Sequence, residues 1–126
     1  MTETERLELW KHELDLNNWK YEILDNDIIA HINYNGTFTF ITALPFVTDI
    51  TVRNIGYINE EQYALMMFAI NRFNERDVFH HYFIDDKNYL GLKSLCLDKN
   101  ISFDWLVQVI NGLYGSPEVI VKLIGR

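Results

Sequence analysis

Cysteine, proline and basic residues are all scarce in this chain of 126 residues. The one cysteine, Cys96, has no partner for an internal disulfide. The opening residues, Met1 to Lys11, are charged and predict no apolar signal segment, so a reducing, cytoplasmic setting is expected. No apolar run reaches the roughly 20 residues that a spanning helix requires. With two prolines and six glycines there is no linker-like stretch, and no repeat or low-complexity segment interrupts the chain. Residues 1–126 therefore read as a single domain, large enough to be held by one core without a metal or disulfide.

The shortage of cations restricts the partners. Lys and Arg number 11 against 18 Asp and Glu, a formal charge of -7, which repels phosphate backbones and anionic lipid. Neither nucleic acid nor membrane is an expected partner. The acidic balance suits a basic protein segment, and it equally serves plain solubility.

Signatures of chemistry are missing too. There is no phosphate-cradling glycine loop, nucleophile elbow or HExxH helix. His80 and His81 are adjacent on a predicted strand, so they point to opposite faces and cannot share a metal. Asp25, Asn26, Asp27 and Asp85, Asp86 lack the ligand spacing of a calcium loop and read as turns. Cys96 reads as a small core residue, and His31, facing the same way as Ile29 and Asn33, suits an exposed or partly covered sheet face. No catalytic residue, metal ligand or cofactor site is predicted, and the protein is not expected to be an enzyme.

What is present is a clear run of elements. Thr2 and Glu5 are spaced as a capping box ahead of a helix from Glu3 to Leu14, with Leu7, Trp10 and Leu14 on one stripe. Strand patterns follow at Trp19 to Leu24, Ile28 to Tyr34 and Thr37 to Leu44, with Asn35-Gly36 as the strongest hairpin signal. A three-residue loop, Tyr34 to Gly36 with Gly36 left-handed, would pair Asn33 with Thr37 and gather Ile28, Ala30, Ile32, Phe38 and Phe40 on one face. A further extended pass spans Asp49 to Tyr57. Asn59 caps a helix to about Asn74, a hairpin joins Val78 to Ile84 with Tyr89 to Leu97, and Ser102 caps a helix whose stripe is Trp105, Leu106, Val109, Ile110 and Leu113. Ser116 and Pro117 open a final helix reaching Ile124. The fold class is α+β: an antiparallel sheet of about five strands with helices packed on it, ordered α-β-β-β-(β)-α-β-β-α(-α).

The middle helix carries the functional reading. Tyr63, Met66, Met67, Ile70 and Phe73 form the predicted core stripe, yet Leu65 and Phe68 lie on the opposite side with Glu61 and Arg72. Either a terminal segment of the same chain covers Leu65 and Phe68, or they form a protein interface, a two-fold one.

Asn71, Arg72, Phe73 and Asn74 at the end of that helix, then Phe79 to Asp85, Leu90 to Leu97 and Ser102, Phe103, Asp104, Trp105, Leu106, resemble the corresponding segments of the YbjN-like proteins. The resemblance is mainly to the second half of the chain. It implies the fold of type III secretion chaperones, small acidic dimeric α+β proteins that hold partner segments in extended form, and a chaperone-like or regulatory role without catalysis. The expected function is thus a protein-binding homodimer. The alternative is an acidic immunity protein or inhibitor that blocks a basic toxin.

Overall fold

The computed structural model describes residues 1–111, so the expected final helix from Ser116 to Ile124 and the Leu113 position lie outside the described residues. Within them the order is α1 (Glu3–Leu16), β1 (Glu22–Ile23), β2 (Ile29–Ile32), β3 (Phe38–Ala43), β4 (Thr48–Tyr57), α2 (Glu60–Arg76), β5 (His80–Ile84), β6 (Tyr89–Cys96), a 3-10 turn (Asp98–Asn100) and α3 (Phe103–Ile110). The strands form one antiparallel sheet of six, in the order β1-β2-β3-β4-β6-β5. The extra pass at Asp49 to Tyr57 is therefore β4, a central strand, and the count is one above the five anticipated.

Local chemistry sets the boundaries. The Thr2 hydroxyl accepts from the Glu5 amide and the Glu5 carboxylate from the Thr2 amide, each at 3.1 Å. Asn59 and Ser102 accept from Gln62 and Trp105 amides at 3.0 and 3.1 Å, so each helix starts with an otherwise orphan donor satisfied. The β2–β3 loop takes the three-residue form: Asn33 pairs with Thr37 through its amide at 2.8 Å, and Gly36 has φ of 84°. That value is strained for any side-chain-bearing residue, which is why glycine stands there.

All three described helices cover one face of the sheet. Trp10 of α1 donates its indole N–H to the Thr48 hydroxyl at 3.0 Å. Phe73 of α2 packs edge-on to Tyr82 with centroids 5.0 Å apart, and Trp105 of α3 stacks on His80. Register puts Thr48, Ile50, Val52, Leu92, Ser94, Cys96, His80 and Tyr82 on that same face. Ile29, Ile41, Met66, Ile70, Leu106 and Val109 complete the core.

Which faces are buried differs from the sequence pattern at several places. The core face of the β2–β3 hairpin carries Ile29, His31, Asn33, Thr37, Thr39 and Ile41, and Asn33, Thr37 and Thr39 are buried. Burial is affordable because the Asn33 amide nitrogen donates to the Thr37 and Thr39 hydroxyls, both at 2.7 Å. The gathered set Ala30, Ile32, Phe38 and Phe40 accordingly points to the face that no described helix covers, called uncovered below. His31 lies on the helix side, half-buried, stacked on Trp19 and bonded through Nδ1 to the Lys20 carbonyl. On α1 the buried stripe is Arg6, Trp10 and Leu14, with Leu7 only half-buried, and on α2 Tyr63 is exposed while Ala69 takes a core place.

Arg6 ties α1 to distant segments. Its guanidinium bonds the Asp98 carboxylate at 2.7 and 3.0 Å and the Leu44 and Pro45 carbonyls at 3.0 and 2.8 Å. The β5 edge of the sheet is closed by side chains. The Asn74 amide nitrogen donates to the Tyr82 carbonyl and its oxygen accepts the Tyr82 N–H, both at 2.9 Å, while Asp77 accepts from the Phe79 and His80 amides.

Candidate functional site

Apolar side chains reach solvent at several places among the described residues, Phe46 and Val78 included, and on two surfaces they lie side by side. The first is the outer stripe of α2. Glu61, Leu65, Phe68 and Arg72 follow one another at spacings of four, three and four residues, so they share a face turned roughly a third of a revolution from the buried stripe of Met66, Ala69 and Ile70, and not the opposite side expected. Leu65 is 48% and Phe68 57% exposed, so no described segment covers them. Arg72 lies over the Phe68 ring, its guanidinium carbon 5.7 Å from the centroid. The four residues singled out in the sequence are thus brought together.

The second surface escaped the sequence reading. On the sheet face that no described helix covers, Leu24, Ala30, Ile32, Phe38 and Phe40 line an open groove of about 650 Å³ beside the edge strand β1. Ile32 is 66% exposed. The signal was available, since the Asn33–Thr37 pairing fixes Ala30 opposite Phe40 and Ile32 opposite Phe38. What the pattern did not give was which face the helices cover.

The groups that could carry chemistry sit in structural roles. Cys96 is fully buried, and burial pushes its thiol up to about 12, so it is not a nucleophile at neutral pH. His80 is buried on the helix side, its Nδ1 2.8 Å from the Ser94 hydroxyl, whereas His81 is exposed on the other face. Among the described residues no group of three or more His, Cys, Asp or Glu could hold a metal. No helix among them is long and apolar enough to cross a membrane.

His80 provides a pH handle on the packing of α3. Burial lowers its pKa from 6.5, outweighing the opposing pull of Asp77. The unfolded chain therefore takes up a proton at His80 before the folded one does. This contribution is complete above pH 6.5 and is lost as pH falls from there through the lower folded value. The urea midpoint should fall between pH 7.5 and 5.5, and His80→Gln should flatten that dependence; an unchanged slope in the variant would assign the effect elsewhere.

No family model matches the chain, and no curated protein matches it by sequence. Solved structures do match. The Yersinia pestis type III secretion chaperone SycH, in complex with a stable fragment of YscM2, superposes with a TM-score of 0.61 at 12% identity, covering 94% of this chain and 98% of that one. YbjN from E. coli, to which a role in transcription regulation is ascribed, superposes with a TM-score of 0.59 at 13% identity, covering 94% of this chain and 87% of its own. At these identities the likeness is one of architecture: the chain has the α+β fold shared by the secretion chaperone SycH and YbjN.

Proposed function

We propose that this protein is a non-enzymatic protein-binding module that pairs with a second copy through α2 and holds an extended segment of another protein along its uncovered sheet face. The observation that carries the reading is the symmetry of the α2 stripe. Leu65 and Phe68 are equidistant from the midpoint between Met66 and Met67, and so are Glu61 and Arg72. Two copies packed antiparallel about that midpoint set each Leu65 against the partner's Phe68 and each Glu61 against the partner's Arg72. A stripe that is complementary to itself is what an isologous interface requires. The fold adds support, since SycH is known in complex with a protein fragment.

Light scattering of the purified chain should give the mass of a dimer, and Leu65→Glu with Phe68→Glu should give a folded monomer. Glu61→Arg and Arg72→Glu should each weaken the dimer, and the two together should restore it. A wild-type monomer, or a mass unmoved by the apolar pair, rejects the interface. An inhibitor of a basic toxin would instead dock through the acidic helices and turns, and its affinity would fall steeply with salt.

A further inference from the structure

The segment that follows α3 starts beside the groove. Asn111, the C-cap of α3, accepts a hydrogen bond on its side-chain oxygen from the Tyr34 hydroxyl at 3.4 Å. Tyr34 stands in the β2–β3 loop, and Ile32 and Phe38, paired across the two strands at the base of that loop, belong to the groove floor. Ile32 is two strand residues, about 7 Å, from Tyr34. Residues 112–116 can span up to about 17 Å, which brings residue 117 and its successors within reach of the groove. The other apolar surface is more distant, since α2 packs over β5, three strands from β3 in the sheet order or about 14 Å across.

The sequence of residues 117–124 suits that site. At the helical period expected for it, Val119, Ile120, Leu123 and Ile124 form one stripe, and Glu118 and Lys122, four residues apart, lie together on the opposite side. Eight residues of helix measure about 12 Å. That covers Ala30 and Ile32 on β2 and Phe38 and Phe40 on β3, which take up about 7 Å of each strand. So short a helix is not stable in water on its own and needs an apolar surface on which to bury its stripe.

We propose that residues 117–124 dock in the groove of their own chain, with Val119, Ile120, Leu123 and Ile124 against Ile32, Phe38 and Phe40, and that a guest segment must displace them. The docking stands on the position and pattern of the segment; the competition rests on the protein-binding reading above. Docked there, the segment leaves Leu65 and Phe68 open to a second copy. A link of five residues holds the segment at an effective concentration of about millimolar. Even a modest contact therefore keeps the groove occupied against weak guests, while a guest of closer fit still enters.

Cross-linking of the full chain tests the placement. Cys96 is fully buried, so a short bismaleimide reads only introduced thiols. Glu22→Cys with Glu118→Cys should link within one chain at least about tenfold faster than Glu61→Cys with Glu118→Cys. A faster link from Glu61 would put the segment on α2 and overturn this proposal and the dimer interface together. A link from Glu22 that joins two chains, or none at all, overturns docking within the chain alone. Occupancy is read by titrating a labelled peptide of residues 112–126 in fluorescence anisotropy. It should bind the full chain carrying Ile120→Asp and Leu123→Asp at least about tenfold tighter than wild type, and adding Ile32→Glu should abolish that gain; equal binding to both chains overturns the docking. A ten-residue peptide alternating Leu or Val with Gln, standing for a guest, should gain from the same two substitutions. If it binds neither chain while the first peptide behaves as expected, the docking holds and the competition, with the protein-binding reading under it, is overturned.

Discussion

Trp10→Ala is expected to lower the unfolding free energy by about 3–5 kcal/mol, the largest loss of any single substitution in α1. Trp10 is fully buried, and its indole N–H is bonded to the hydroxyl of Thr48, itself fully buried. Truncation removes the largest apolar side chain between α1 and the sheet, opens a cavity above Thr48, and strands a hydroxyl. Domains of this size have about 5–15 kcal/mol in total, so the variant should melt roughly 10–20 °C lower. Trp10→Phe keeps most of the burial and loses the hydrogen bond, and should fall near a third of that effect. Thermal denaturation followed by circular dichroism reads both, and a drop of under two or three degrees for the alanine variant would mean that α1 contributes little to the cooperative unit.

Substitutions at the Arg6 clamp should come next, with an order that depends on which partner is removed. Arg6 is 3% exposed, whereas the Asp98 side chain is about a third exposed. Asp98→Ala leaves a guanidinium stranded under α1 with only the Leu44 and Pro45 carbonyls for company. Arg6→Ala leaves a carboxylate that water can reach. Asp98→Ala should therefore be the more damaging, lowering the melting temperature by roughly ten degrees, and replacing both residues by leucine should recover part of the loss. The hydrogen bonds from Arg6 also hold the Asp98 carboxyl below the usual carboxylate range. Its contribution is full above that range and disappears in acid as the folded value is crossed. Arg6 and Trp10 both anchor α1, so if the helix detaches as a unit the double variant should cost less than the sum.

The parts of this fold visible in the sequence are those decided within a few residues. The Thr2–Glu5 box, the Asn59 and Ser102 caps and the Asn33–Thr37 pairing are satisfied by near neighbours, and each formed as expected. Sidedness was different. Phe38 and Phe40 look like core and Asn33, Thr37 and Thr39 like surface, but three polar side chains that satisfy one another can be buried, whereas a sheet face without a helix leaves phenylalanines open. Arg6 was invisible for a related reason, because its partner Asp98 lies 92 residues away. The α2 stripe was legible because the helical period alone separates Leu65 and Phe68 from Met66 and Ile70. The groove was legible as a register but not as a surface, since nothing local tells a strand which side the helices will take.

The closed β5 edge bears on how far association can go. A chain that accepts an extended segment at one side of its sheet risks accepting further chains, each offering a fresh edge to the next. Here the Asn74 amide occupies the backbone positions of Tyr82 that another strand would need, and the opposite edge, β1, offers two residues. A strand laid against β1 meets no matching free edge at β5 of a neighbouring copy. The Asn74 and Asp77 contacts thus oppose head-to-tail growth of the sheet through β5.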